Sequence, residues 1–411
     1  MTPKPLLKPE ALARYADAIV KASLAVGKGD YLAVSGEPEH RELLVAVAEA
    51  GYRAGATYVD VIVGDPRVMR ARIEYGSDAA LGALSPWNKA RVRAQTAPTG
   101  AIAYIAGEGE AGYLDGLSPK RIQTDFTRAA QAQAFARKAR LNMTARWTIA
   151  AWPTDHWAAQ VYPKLTLERA KRKLAEDLLW FCRLSDQDGK GSKGWLDHVR
   201  AVTRRSERLT KLGLTKVELR GPGTSLDVGL SPNTRWLGGI EETPDDKKLA
   251  PNMPTEETFT SPDAHAVEGT FRCTFPLSFR GRLIEGIRGE FRGGKLVKLE
   301  ADNTSDRDFL AAYLDTDAGA KRLGELALVD ASSRIGQKKV IYYNTLLDEN
   351  AATHIAFGGG FGTTRTGKGA QGVNQSTTHL DVMIGSPKLE VTGVDGKGKR
   401  IPLIRDGAWQ I

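Results

Sequence analysis

The 411-residue sequence predicts an α/β domain at its N-terminus and a strand-rich α+β domain at its C-terminus. In the first hundred residues, segments of helical period alternate with short runs of strand character. After residue 215 the pattern becomes short alternating runs parted by Gly, Pro, Asn and Asp. Between them, residues 165–214 carry long helical periodicity and divide the two textures.

Residues 10–24 place their apolar side chains on one helix face, 31–35 read as a buried strand, 41–54 as a second helix and 58–63 as a second strand, which together make a β-α-β unit. Gly55 stops the second helix, because glycine takes the left-handed conformation without a Cβ clash. Residues 100–106 and 147–152 predict two further strands of the same sheet. Residues 167–184 and 195–212 are amphipathic helices separated by the glycine-rich 189–194. Beyond them, 217–220, 271–275 and 295–299 predict strands and 306–314 a helix. The boundary falls near residue 215, giving domains 1–215 and 216–411.

With 41% hydrophobic and 26% charged residues, the composition is that of a packed globular protein, not a disordered one. Cys182 and Cys273 stand beside bulky apolar residues without metal-ligand spacing, and read as buried thiols. No run approaches the ~18 apolar residues of a membrane span. The lysine-bearing start, residues 1–9, lacks the apolar segment of a signal peptide, so a cytoplasmic protein with no membrane partner is expected. The net charge of +9 raises nucleic acid as a partner. Its excess lies within residues 120–216, at helical spacing and without interleaved aromatics, which favours a solvated helix face.

The glycine clusters at 293–294 and 358–362 do not follow the strand-GxGxxG-helix order of a dinucleotide site, and no GxSxG elbow, P-loop or His-Glu-x-x-His helix occurs. Of the six histidines, His40 and His198 read as surface or packing residues. His156 follows a predicted strand, where clefts form, and is a substrate-side candidate.

Four C-terminal segments carry candidate chemistry. His379 and Asp381 lie two apart in a predicted strand, so alternation puts them on one side, where they can share a cation. Glu349 and His354 offer an acid and an imidazole before a glycine-rich loop. Glu325 stands at the mouth of an apolar strand, and Glu256 and Glu257 precede another. A carboxylate among so many apolar neighbours is costly without a cation or hydrogen bonds. Together these segments fit a carboxylate-rich site edged by histidine.

The runs Asn-Met-Pro-Thr-Glu-Glu-Thr-Phe-Thr-Ser-Pro at 252–262, Gly-Glu-Leu at 324–326, Glu-Asn-Ala-Ala-Thr-His-Ile-Ala at 349–356 and His-Leu-Asp-Val-Met-Ile-Gly-Ser-Pro at 379–387 resemble, in this order, the aminopeptidase T and aminopeptidase S family of metallopeptidases. The similarity extends over nearly the whole chain. The resemblance implies metal-binding roles for Glu257, Glu325, His354, His379 and Asp381, placing the metal site in the C-terminal domain. It further implies two divalent ions (zinc, cobalt or manganese), bridged by Glu325, and a homodimer acting as an aminopeptidase on peptides or small amides. In that setting Glu349 is the candidate base and Glu256 the candidate anchor for a substrate's free α-amine. The family commonly has a tyrosine seven residues after the position of His354, where this chain has Phe361. A phenyl ring donates no hydrogen bond to a developing oxyanion, so Phe361 is a second substrate-side candidate. Two alternatives stand beside this reading. One is a mononuclear iron ring-cleaving dioxygenase of the same fold, using His354, His379 and Asp381; the other is a non-peptide amide hydrolase.

Overall fold

A computed structural model of the protein describes residues 5–109, 112–280, 282–367 and 371–411, so the first four residues of the lysine-bearing start lie outside the described residues. The chain divides into two compact units, Met1–His198 with Ile240–Pro254, and Val199–Gly239 with Thr255–Ile411. The fold is mixed α/β, with a parallel sheet in the first unit and a large antiparallel sheet in the second.

In the first unit, the strands Tyr58–Val63, Tyr31–Gly36, Gly100–Ala106, Arg146–Ala151 and Asn252–Met253 pair in that order, all parallel. Parallel neighbours need crossover connections, and the helix Arg41–Ala54 supplies the first. It ends at Gly55, whose φ of 97° is the expected left-handed cap. The N-terminal helix Pro9–Asp17 runs on as a π-helical segment, Ala18–Ser23. Helices Pro66–Tyr75 and Pro86–Gln95 lack an apolar face in the sequence and stay largely exposed, with Val68 and Trp87 at 68% and 72%. His40 is a packing residue: it is buried, its Nδ1 accepts the Glu37 N–H, and burial lowers its pKa to about 4. No helix among the described residues is long and apolar enough to cross a membrane.

The second unit holds an eight-stranded antiparallel sheet in the order Lys295–Glu300, Arg288–Arg292, Val267–Arg272, Thr224–Gly229, Leu214–Gly221, Glu390–Asp395, Arg400–Arg405 and Ala408–Trp409. A four-stranded antiparallel sheet, Thr258–Thr260, Leu323–Leu328, His354–Gly358 and His379–Met383, shares its core. Phe271 and Phe291 of the large sheet meet Phe357 of the small one with ring centroids 5.8 and 5.7 Å apart. The strand expected at 271–275 instead runs Val267–Arg272. Beyond Arg272 the backbone changes partners, with the Thr274 N–H bonding the Met383 carbonyl, and Pro276 has no N–H to donate. Cys182 is buried and Cys273 is half-buried against the core, and neither is in a disulfide.

Candidate metal centre

In the small sheet, Leu326, Leu328, Ile355, Phe357, Leu380 and Val382 face the core. Alternation along each strand then sends Glu325, His354, His379 and Asp381 to the opposite face. A bulge between Leu323 and Glu325 shifts the phase, so Leu323 joins the core while Glu325 does not. Cross-strand register aligns Glu325 with Ala356 and Ala356 with Asp381, so the two carboxylates flank a single methyl group. Glu257 immediately precedes the strand Thr258–Thr260, whose Phe259 is opposite Ala327, which is in turn opposite His354. All five metal-binding candidates are thereby brought together. Glu257, Glu325 and His354 form one donor group and Glu325, His379 and Asp381 a second, with ligand atoms in each within 4.8 Å of one another. Glu325 is common to both.

His354 Nε2 lies 3.2 Å from Glu257 Oε2 and 4.0 Å from Asp381 Oδ1, and His379 Nε2 lies 3.2 Å from Glu325 Oε2 and 3.4 Å from Asp381 Oδ1. Each ring turns its Nδ1 to a main-chain carbonyl, that of Ala352 at 3.1 Å for His354 and that of Gly359 at 2.9 Å for His379. Such a bond keeps a proton on Nδ1 and leaves the Nε2 lone pair for a cation. Two donors about 2.0–2.1 Å from one cation at tetrahedral or octahedral angles stand roughly 2.8–3.4 Å apart. The three short spacings match that. Glu257, Glu325, His354 and Asp381 are buried, whereas the His379 side chain is 35% exposed, so the group opens to solvent on its His379 side.

Three carboxylates against two imidazoles leave the group negative even when both rings are protonated, and uncompensated buried charge is strongly unfavourable. The titration shifts express this tension. Burial draws the His354 imidazole down, but the hydrogen bond and charge of Glu257 and then the charges of Asp381 and Glu325 push it up to about 10. His379 is likewise driven well above the usual range, against its burial, by Asp381 and Glu325. Burial raises Glu325 despite the opposing hydrogen bond of His379. In Asp381, burial is outweighed by the charge and hydrogen bond of His379, so its pKa is lowered. Glu349 is raised well above the carboxylate range by burial and then by the charges of Glu257 and Asp381. Divalent cations would relieve this excess, and the imidazole and carboxylate donors suit them.

The remaining candidates fall in distinct places. Glu349 sits at the start of a short 3-10 turn, Glu349–Ala351. The preceding Asp348 braces this segment by accepting the Tyr342 and Asn344 N–H groups at 2.8 and 3.1 Å. Glu256 belongs to neither donor group: its carboxylate accepts the Arg334 N–H at 3.3 Å. Phe361 meets His379 edge-on with centroids 5.5 Å apart, and Phe259 at 5.4 Å. His156 stands on the helix Asp155–Val161 of the first unit and is in neither donor group. Met383 follows Asp381 by two on the same strand and so shares its face.

Residues 8–409 match the thermophilic metalloprotease (M29) family. Over 407 residues the chain is 33% identical to aminopeptidase T of Thermus thermophilus, covering 97% of this chain and 98% of that protein. The structure of wild-type AmpT from Thermus thermophilus matches with a TM-score of 0.88 at 33% identity, covering 98% of this chain and 99% of the other. A 2,5-dihydroxypyridine dioxygenase from Pseudomonas putida KT2440 matches with a TM-score of 0.54 at 14% identity, covering 98% of this chain and 100% of the other, a likeness of fold alone.

Proposed function

The chain belongs to the thermophilic metalloprotease (M29) family, and from that premise we propose that this metal-dependent aminopeptidase removes N-terminal residues from peptides at a pair of divalent cations held by Glu257, Glu325, His354, His379 and Asp381. The observation that carries the pairing is Glu325, common to two donor groups that otherwise share no residue. Zinc, cobalt and manganese all suit such a mixture of nitrogen and oxygen donors. Bound divalent cations supply Lewis acidity, lowering the pKa of a water and polarising a carbonyl.

The side chains do the rest. Glu257 with His354, and His379 with Asp381, form the two sides of the cradle, with Glu325 between them. Burial and its anionic neighbours raise the Glu349 pKa, and compensation of that negative charge would leave its carboxylate able to take a proton from water and pass it to the leaving amine. Glu256, whose Oε1 accepts the Arg334 backbone N–H, or one of the cations would hold the substrate's free α-amine. Phe361 offers no hydrogen-bond donor to the scissile carbonyl. A homodimer completes this reading, on the strength of the family resemblance.

Hydrolysis of alanyl and leucyl amides, compared with their N-acetyl derivatives, tests the proposal. Loss of activity on acetylation is expected, whereas equal cleavage of both would turn the assignment toward a general amide hydrolase. A mononuclear dioxygenase needs only His354, His379 and Asp381; the adjacent Glu257 and Glu325 support hydrolysis instead.

A further inference from the structure

In the second unit a cavity of about 90 Å³ opens against His379, Asp381 and Glu349. Beyond these groups the wall combines apolar Leu277, Phe279, Leu380 and Met383 with Ser278, Thr345 and Asp348. Met383 lies two residues beyond Asp381 on the same strand face, a separation of about 6.8 Å, within reach of a short side chain whose backbone is held at Asp381. Leu277 and Phe279 are alternate residues of the strand Leu277–Phe279 and so share a side. The Phe279 ring is fixed by an edge-on contact with Tyr313 at 4.7 Å, which makes this wall firm.

We propose that this cavity receives the side chain of the substrate's N-terminal residue, and that it selects small aliphatic residues over aromatic ones. The inference rests on the aminopeptidase reading and adds a substrate class to it. The charged end sits where the amine and scissile carbonyl are handled, and the apolar end removes a hydrocarbon side chain from water. Size sets the limit. An apolar cavity that takes a benzene ring measures ~150 Å³, and the 90 Å³ here falls well short. On that scale the cavity is matched to a valine side chain better than to a phenylalanine ring.

The test compares valyl- and phenylalanyl-p-nitroanilide with the metal-loaded wild type, Met383→Ala and Phe279→Leu. The wild type is expected to favour the valyl substrate in kcat/KM by at least about tenfold, the scale on which apolar pockets discriminate. Either variant is expected to move that ratio toward phenylalanine by a similar factor. Phe279→Leu is the milder change and serves if Met383→Ala does not fold. Calorimetric titration of free L-valine and L-phenylalanine reads the same preference without chemistry. A valine preference in binding that the variants reverse supports the subsite, even if no anilide is cleaved; that combination would remove only the peptidase reading. Equal handling of both residues by wild type, or a ratio unmoved in folded variants, overturns the subsite and leaves the peptidase reading standing.

Discussion

His354 Nε2 faces Glu257 Oε2 at 3.2 Å while Nδ1 of the same ring is tied to the Ala352 carbonyl. With a proton fixed on Nδ1, the ring can face that carboxylate favourably in two ways only: as an imidazolium, or with a cation between them. Proton and metal therefore compete for one position, and the behaviour of the site with pH follows from that competition.

In cation-free protein the folded-state pKa of His354 is raised from 6.5 to about 10. A raised folded pKa contributes stability that is whole below the unfolded value and is lost as pH climbs through the folded one. The Tm of chelated protein is therefore expected to fall between about pH 6.5 and 10. Cation-loaded protein should lack this decline, since raising the pH removes the competing proton. Thermal unfolding with and without chelator measures both, and parallel curves would contradict the competition.

Glu325→Ala and His379→Ala each remove a donor that no neighbouring side chain replaces. Loss of outer partners alone typically costs ~10–100-fold in metal affinity or activity, so a larger loss is expected in both variants. Metal content and kcat/KM on alanyl amide report it. A variant that keeps full activity removes its residue from the centre.

Phe361→Tyr adds a phenol beside His379. Where such a donor reaches the developing oxyanion it contributes ~10²–10³ in kcat. A rise of at least about tenfold in kcat with little change in KM is expected. An unchanged kcat would show that carbonyl polarisation here does not depend on this position.

Asp317 accepts the backbone N–H and hydroxyl of Thr377 at 2.9 and 2.8 Å and the hydroxyl of Ser376 at 2.8 Å, holding the turn that leads into His379. These bonds, the Thr377 N–H foremost, hold its carboxyl at about 2. A lowered folded pKa gives stability present above the ordinary 3.8 and lost as pH falls toward 2, so acid unfolding should set in earlier in Asp317→Ala. The substitution is expected to cost about 2 kcal/mol, the scale of hydrogen bonds to a charged group, and to weaken cation binding through His379. Chemical denaturation and metal titration check the two effects.

Much of this architecture was legible where local signals agree with tertiary demand. The helix Arg41–Ala54 has the predicted bounds because its apolar stripe and Gly55 agree, and Tyr58–Val63 because Val59, Val61, Ile62 and Val63 are gathered between a glycine-containing turn and Gly64. Alternation in one strand was enough to place His379 and Asp381 on one face. What escaped depends on contacts distant in sequence. Asn252–Met253 joins the parallel sheet after a return through residues 152–251, and two residues carry no periodicity. Helices Pro66–Tyr75 and Pro86–Gln95 bury too little to show a stripe. Glu256 and Glu257 are alike in type, and in the structure it is Glu257 that faces His354 while Glu256 accepts the Arg334 N–H.

The most direct measurement is the metal content of purified protein after loading and removal of excess ion, determined by elemental analysis beside protein concentration. Two divalent ions per chain, falling in Glu325→Ala, is the predicted result. A stoichiometry of one that Glu325→Ala leaves intact would contradict the paired centre.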